Sequence, residues 1–97
     1  MTLHVMVEMT ARKGREAALL EALHRDLPTT RASDGCQSLE LTVNTDDPDN
    51  MLVVMRWQSR EHYDTYLAWR RSTGVVKGYD DITKSGLAMR FFESIDV

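Results

Sequence analysis

Ser38-Leu39-Glu40-Leu41-Thr42-Val43-Asn44 alternates apolar and polar side chains, Met51-Leu52-Val53-Val54-Met55-Arg56-Trp57 is apolar at nearly every position, and Asp46-Asp47-Pro48-Asp49-Asn50 lies between them. A period of two puts Leu39, Leu41 and Val43 on one face of a strand. The acidic cluster supplies turn chemistry, because Asp and Asn side chains bond to nearby backbone N–H groups and proline presets φ. Together the three pieces predict a β-hairpin. Its second arm, apolar on both sides, is expected to be a central strand with both faces covered.

Working outward, residues 2–9 alternate as well, with Leu3, Val5, Val7 and Met9 opposite Thr2, His4, Met6 and Glu8, which predicts a first strand. After the polar turn Thr10-Ala11-Arg12-Lys13-Gly14, the series Ala17, Leu20, Leu23 and Leu27 recurs at helical spacing. Pro28 is expected to kink or end that helix, since it lacks an amide donor, with a firmer boundary at Asp34-Gly35. Past the hairpin, Ser59 is a good N-cap for a second helix. The stripe Tyr63, Tyr66, Leu67 and Arg70 faces inward there, and Gly74 closes it. Residues 75–81 are expected to add one helical turn, and Leu87–Phe92 a last strand after the Ser85-Gly86 turn.

The order β-α-β-β-α-β is the ferredoxin-like split βαβ arrangement, an α+β fold with a four-stranded antiparallel sheet and helices on one face. One domain over residues 1–97 is expected. The helices leave the other face bare, with His4, Met6, Val54, Ala88 and Phe92 among its candidates, and an apolar patch of that size is expected to meet a partner. A core this small also gains from a second copy, so a homodimer is expected.

With 12 Lys and Arg against 15 Asp and Glu, the net charge is −3, which leaves no basic footprint for nucleic acid or an anionic membrane. No stretch approaches the roughly 20 apolar residues of a membrane span. The first nine residues lack the pattern of a signal peptide, and the single cysteine, Cys36, cannot form an internal disulfide; a cytoplasmic protein is expected. The three histidines have no metal-site spacing, and Asp46, Asp47 and Asp49 lack the Gly and distal Glu of a calcium loop, so no metal is expected.

Three segments, Arg12-Lys13-Gly14-Arg15-Glu16, residues 28–36 and Arg56-Trp57-Gln58-Ser59-Arg60-Glu61-His62-Tyr63, resemble the antibiotic biosynthesis monooxygenase (ABM) domain over nearly the whole chain. The resemblance implies a ferredoxin-like fold whose dimers pack two sheets into an α+β barrel. It also implies a choice of activities: cofactor-free oxygenation of aromatic polyketides and quinols, heme degradation, or isomerisation of sugar phosphates. The polyketide branch carries a Trp at the end of the third strand and a Tyr six residues later, matched here by Trp57 and Tyr63. Its Asn before the Trp and Arg beyond the Tyr are replaced by Val53 and Lys77. The heme-degrading branch uses an Asn, a Trp and an axial His where this chain has Val7, Tyr66 and Val76, which disfavours heme.

Cofactor-free oxygenation needs a substrate that readily gives up one electron, such as a deprotonated quinol or anthrone. The protein then has to help remove a proton, stabilise an oxyanion and exclude water. On this reading Trp57, Tyr63 and His4 are the candidate catalytic residues: an indole donor, a phenol, and a base with a suitable ordinary pKa. Tyr66, Lys77, Arg70 and Met55 are the candidate substrate-binding residues, and the partners are a small aromatic molecule and O2, with no cofactor. Each has a structural counterpart reading, Trp57 as a core anchor, Tyr63 as an inward-facing Tyr bonded to backbone and His4 as an interface residue. The alternatives are a non-catalytic ligand-binding barrel and an isomerase or cyclase of the same fold. The oxygenase reading expects Trp57 N–H and the Tyr63 hydroxyl to share an enclosed cavity of several hundred Å3.

Overall fold

The computed structural model describes residues 2–97. Strand β1 (Leu3–Ala11) is followed by α1 (Glu16–Arg31), the hairpin β2 (Cys36–Asn44) and β3 (Asp47–Trp57), and α2 (Arg60–Ser72). A four-residue helix α3 (Val75–Gly78) and a 3-10 turn (Tyr79–Asp81) then lead into β4 (Thr83–Glu93). The four strands form one antiparallel sheet in the order β2-β3-β1-β4, the ferredoxin-like arrangement expected from the sequence.

Alternation decides which side chains meet the helices. Leu3, Val5, Val7, Met9 and Ala11 of β1 are buried, as are Met51, Val53, Met55 and Trp57 of β3, paired with them in antiparallel register from Leu3 opposite Trp57 to Met9 opposite Met51. These residues meet Leu19, Ala22 and Leu23 of α1 and Tyr63 and Leu67 of α2 in one core. On the other face Met6 lies between Val54 and Arg90, and His4 between Arg56 and Phe92. Leu52 and Val54 are half-buried and Arg56 is exposed, so β3 is covered on one face only within the chain, contrary to the expectation from its composition. Both helices lie on the same side of the sheet, and among the described residues no element covers the second.

Several local expectations are corrected. Helix α1 runs through Pro28 to Arg31. Pro28 stands in the last turn on an exposed side, where the carbonyl it leaves unbonded, that of the exposed His24, can be hydrated. The buried stripe of α1 is Leu19, Ala22, Leu23, Asp26 and Thr30, whereas Ala17 and Leu20 face outward. The hairpin turns earlier than the acidic cluster suggests, at Thr45-Asp46, and Pro48 falls inside β3. It is tolerated there because pairing with β1 begins only at Asn50. Ser85 and Gly86, both at positive φ, form a bulge inside β4, opposite the register shift between Glu8 and Thr10, and the strand begins at Thr83.

Ser59 caps α2 as expected, its hydroxyl oxygen accepting the His62 N–H at 3.1 Å, and Gly74 follows the helix in the left-handed region at φ 82°. Among the described residues, no helix is long and apolar enough to cross a membrane.

Candidate active site

Helix α2 presents Tyr63, Leu67 and Arg70 to the sheet at i, i+4 and i+7, with Tyr66 half-buried beside them. Trp57, at the last position of β3, is fully buried under this helix. Its ring meets Tyr63 edge-on, with centroids 5.2 Å apart and planes at 79°, and lies 5.2 Å from Tyr66. Phe91 of β4 extends the cluster, 5.6 Å from Tyr63. Such offset and edge contacts add to area burial and fix ring orientation.

Between this cluster, α1, α3 and the sheet lies a cavity of about 60 Å3. The sheet lines it with apolar side chains, Val7, Met9, Val53, Met55, Leu87 and Met89. Polar groups enter from the helical side alone: Asp26 and Thr30 from α1, Tyr63, Tyr66 and Arg70 from α2, and Tyr79 from the turn after α3. Val75 and Val76 of α3 complete the wall.

The polar groups are bonded to one another in a chain. The Arg70 guanidinium, almost fully buried, donates through Nε to the Tyr66 hydroxyl at 2.9 Å and through Nη2 to the Asp26 carbonyl and to Thr30 Oγ1. Tyr66 and Thr30 share a further hydroxyl–hydroxyl bond. The Asp26 carboxylate accepts two bonds from Arg25, at 2.9 and 3.0 Å, and one from the Tyr79 hydroxyl at 2.8 Å. Burial pushes the Asp26 pKa up, but the bonds from Arg25 and Tyr79 and the nearby Arg25 and Arg70 charges outweigh it, and Asp26 is held below the ordinary carboxylate range. Tyr79 is pushed up by burial and by its bond to Asp26. Tyr63 is pushed up by burial and the proximity of Tyr66, so both phenols stay protonated at neutral pH.

The residues singled out in the sequence separate into three groups. Tyr63, Tyr66, Arg70 and Met55 meet at the cavity. Trp57 stands behind Tyr63 and Tyr66 and is not in the lining; its Nε1–H donates to Met55 Sδ at 3.4 Å. The Tyr63 hydroxyl likewise faces a sulfur, Met89 Sδ, at 3.6 Å. Thioethers are weak acceptors, so neither donor has a strong protein partner. His4 and Lys77 do not reach the cavity. His4 points from the opposite face of the sheet, where even-numbered residues of β1 must point, and its Nε2 bonds to Ser94 Oγ at 3.0 Å; Lys77 is exposed on α3. The cavity is also far smaller than the several hundred Å3 expected, and Val75 and Val76 close one side of it.

Asp26, Thr30 and Tyr79 were not among the expected site residues. Asp26 and Thr30 had a readable signal: they continue the series Leu19, Ala22, Leu23 at helical spacing, which puts a carboxylate and a hydroxyl on a buried stripe. Tyr79 had none, since its position depends on how α3 turns the chain. His62 is half-buried, with Nδ1 2.7 Å from Ser59 Oγ. Among the described residues no three His, Cys, Asp or Glu side chains are grouped as a metal site would need.

The antibiotic biosynthesis monooxygenase family pattern matches residues 2–78. The chain belongs to the ABM family. Solved structures similar to this ABM domain include a candidate antibiotic biosynthesis monooxygenase from Deinococcus radiodurans, at 20% identity over 98% of this chain and 94% of that one, with a TM-score of 0.83. Rv0793 from Mycobacterium tuberculosis is 23% identical over 100% and 98% of the two chains, with a TM-score of 0.76. A conserved Methanosarcina mazei protein reaches a TM-score of 0.87 at only 7% identity, over 97% and 93% of the two chains. At these identities the likeness establishes the fold. No curated protein matches the chain.

Proposed function

We propose that this ABM domain is a cofactor-independent monooxygenase of a small aromatic phenol, quinol or anthrone, bound between the sheet and α2. The observation that carries this reading is the convergence of Tyr63, Tyr66 and Arg70 on a cavity otherwise lined by apolar side chains. The deprotonated substrate gives one electron to O2, the radical pair joins carbon to oxygen, and the hydroperoxide loses water to leave a carbonyl. An apolar lining that excludes water and fixed donors for the developing oxyanion are what this sequence requires of a protein. A bicyclic substrate needs more than about 60 Å3, so binding widens the cavity. Helix α3 is the movable wall: it has no buried side chain, follows Gly74 and ends on Gly78.

The same reading makes the protein a homodimer. Met6, Leu52, Val54 and Phe92 share the bare sheet face, with Glu8 and Arg90 paired at 3.2 Å among them. A second copy of that face covers it isologously.

Oxygen uptake by metal-free protein with a panel of anthrones and hydroquinones tests the proposal. Uptake is expected with at least one substrate, and Tyr63→Phe and Tyr66→Phe are expected to reduce it. The second reading, a non-catalytic ligand-binding barrel, is favoured by the small cavity and by the absence of Trp57 from its lining. No uptake with any substrate would select it.

A further inference from the structure

Arg70 is a buried cation with no carboxylate in contact. Its hydrogen-bond partners are neutral oxygens, the Tyr66 and Thr30 hydroxyls and the Asp26 carbonyl, and its guanidinium lies 5.0 Å from the Trp69 ring centroid and 5.6 Å from that of Tyr66. Among the described residues no carboxylate lies within salt-bridge distance of it, and its Nη1 makes no hydrogen bond. The Asp26 carboxylate feels the Arg70 charge but is not within salt-bridge distance of it; its oxygens accept from Arg25 and Tyr79. Two guanidinium groups therefore stand around one carboxylate, and the inner one borders the cavity. A buried charge that lacks a counter-ion is costly unless something of opposite sign joins it.

The cavity also lacks a base. From α1 it receives Asp26, ionised but engaged with Arg25 and Tyr79; from α2, Tyr63, Tyr66 and Arg70; from the turn after α3, Tyr79. The sheet and α3 contribute no titratable group to the lining. His4, the natural candidate for proton removal, lies on the far face of the sheet, bonded to Ser94. A neutral phenol entering this site would find nothing to take its proton.

We propose that the cavity takes its ligand as a preformed anion, an acidic phenol or hydroxyquinone already ionised in solution, whose oxyanion sits against the Arg70 guanidinium and the Tyr66 hydroxyl. Arg70 donates to Tyr66 and polarises its O–H; with Thr30 as the donor of the Thr30–Tyr66 bond, the Tyr66 proton is left to meet the same oxygen as the guanidinium, and charge-assisted bonds of this kind are the strong ones. The remaining ring lies on the apolar floor. Selection is by ionisation state: the protein needs no base because its ligand brings none of the proton to be removed.

This inference rests on the cavity being the ligand site, and it does not require that the ligand be oxygenated. The test is anaerobic binding, followed by tryptophan fluorescence at neutral pH, of 2-hydroxy-1,4-naphthoquinone, which is anionic there, and of its neutral methyl ether. The hydroxyquinone is expected to bind about 10- to 100-fold more tightly, the range of one or two charge-assisted bonds. Arg70→Met should abolish the difference, Arg70→Lys should keep part of it, and Arg71→Met, which removes an equal charge from the exposed side of α2, should keep all of it. Should Arg70→Met fail to fold, the wild type still decides: affinity for the hydroxyquinone must fall as the ligand itself protonates, while that for the ether stays level. Equal affinities, no binding of either compound, or a preference that survives Arg70→Met would overturn the inference. Tight anion binding without oxygen uptake would overturn the oxygenase reading alone, and uptake with a substrate bound neutral would overturn this one alone.

Discussion

The Tyr79 hydroxyl donates at 2.8 Å to the Asp26 carboxylate, joining the turn after α3 to the middle of α1 across 53 residues of sequence. Tyr79 and Asp26 are both buried, and Thr83 Oγ1 donates to the Tyr79 carbonyl at 2.7 Å from the start of β4. The contact thus holds the segment behind α3, while α3 itself has no fully buried side chain.

Removing that bond has a cost with a defined pH dependence. Tyr79→Phe and Asp26→Asn are each expected to lower stability by about 1–3 kcal/mol at neutral pH, the range for a hydrogen bond to a charged group. Their effects should be less than additive in a double-mutant cycle because both remove the same contact. The Asp26 pKa is depressed in the folded state. Its contribution is therefore present above the unfolded value, near 3.9 for an ordinary Asp, and is lost as pH falls through the folded value. Urea titrations at neutral pH and near pH 3 should show the wild type losing more of its stability to acid than Asp26→Asn. Parallel losses would mean that the carboxylate's ionisation does not stabilise the fold.

Gly35 separates two kinds of glycine requirement. It has φ of 90°, and a Cβ there would lie 2.5 Å from His62 Cβ; Gly14 has φ of 76° with nothing within 4 Å. Gly14→Ala is expected to cost about 1–2 kcal/mol, the backbone term alone. Gly35→Ala meets the same term plus a clash at the start of α2, and about 2–4 kcal/mol is expected. Thermal and chemical denaturation of both variants measures the difference; equal losses would show that the chain between Gly35 and α2 shifts at little cost.

The hairpin, the first strand and the Ser59 cap were legible because each is a local pattern: period two, turn residues, a side chain that satisfies backbone donors. Elements decided by tertiary context were not. Pro28 is tolerated because it sits in a solvated last turn, and Ser85-Gly86 becomes a bulge because β1 continues past it. Tyr63, Tyr66, Arg70 and Met55 could be brought to one cavity from helix and strand periodicity together with the family resemblance. The ordinary pKa of His4 suits a base, but its parity in β1 puts it on the face opposite Val5 and Val7. Lys77 stands where the resemblance implies an Arg, and the four-residue α3 leaves it exposed. Asp26 was readable as a polar break in an apolar stripe, whereas Tyr79 depended on a turn that no local pattern specifies.

The bare sheet face gives a prediction about assembly. Val54 is half-buried in the chain and lies beside Met6 on this face. Val54→Asp would bring a carboxylate and its symmetry copy into a desolvated isologous interface, where unpaired charge is strongly disfavoured. Sedimentation is expected to show a dimer for the wild type and a monomer for Val54→Asp, with secondary structure retained. A wild-type monomer at micromolar concentration would refute the barrel.

The movable wall can be tested without touching a polar group. Val76 is half-buried, lines the cavity and belongs to α3, which follows Gly74 and ends on Gly78. In Val76→Phe the added ring can enter the cavity or turn toward solvent. Because the residue starts half-exposed, the variant should lose no more than about 1–2 kcal/mol, at the low end of overpacking costs in a closed core. If α3 is the wall that moves for a ligand, a ring held there blocks entry, and binding of both the hydroxyquinone and its methyl ether should fall together by at least about tenfold. That pattern differs from the one expected of Arg70→Met, which removes the discrimination between the two compounds. Binding unchanged in Val76→Phe, with the fold intact, would mean that ligands enter the cavity by another side.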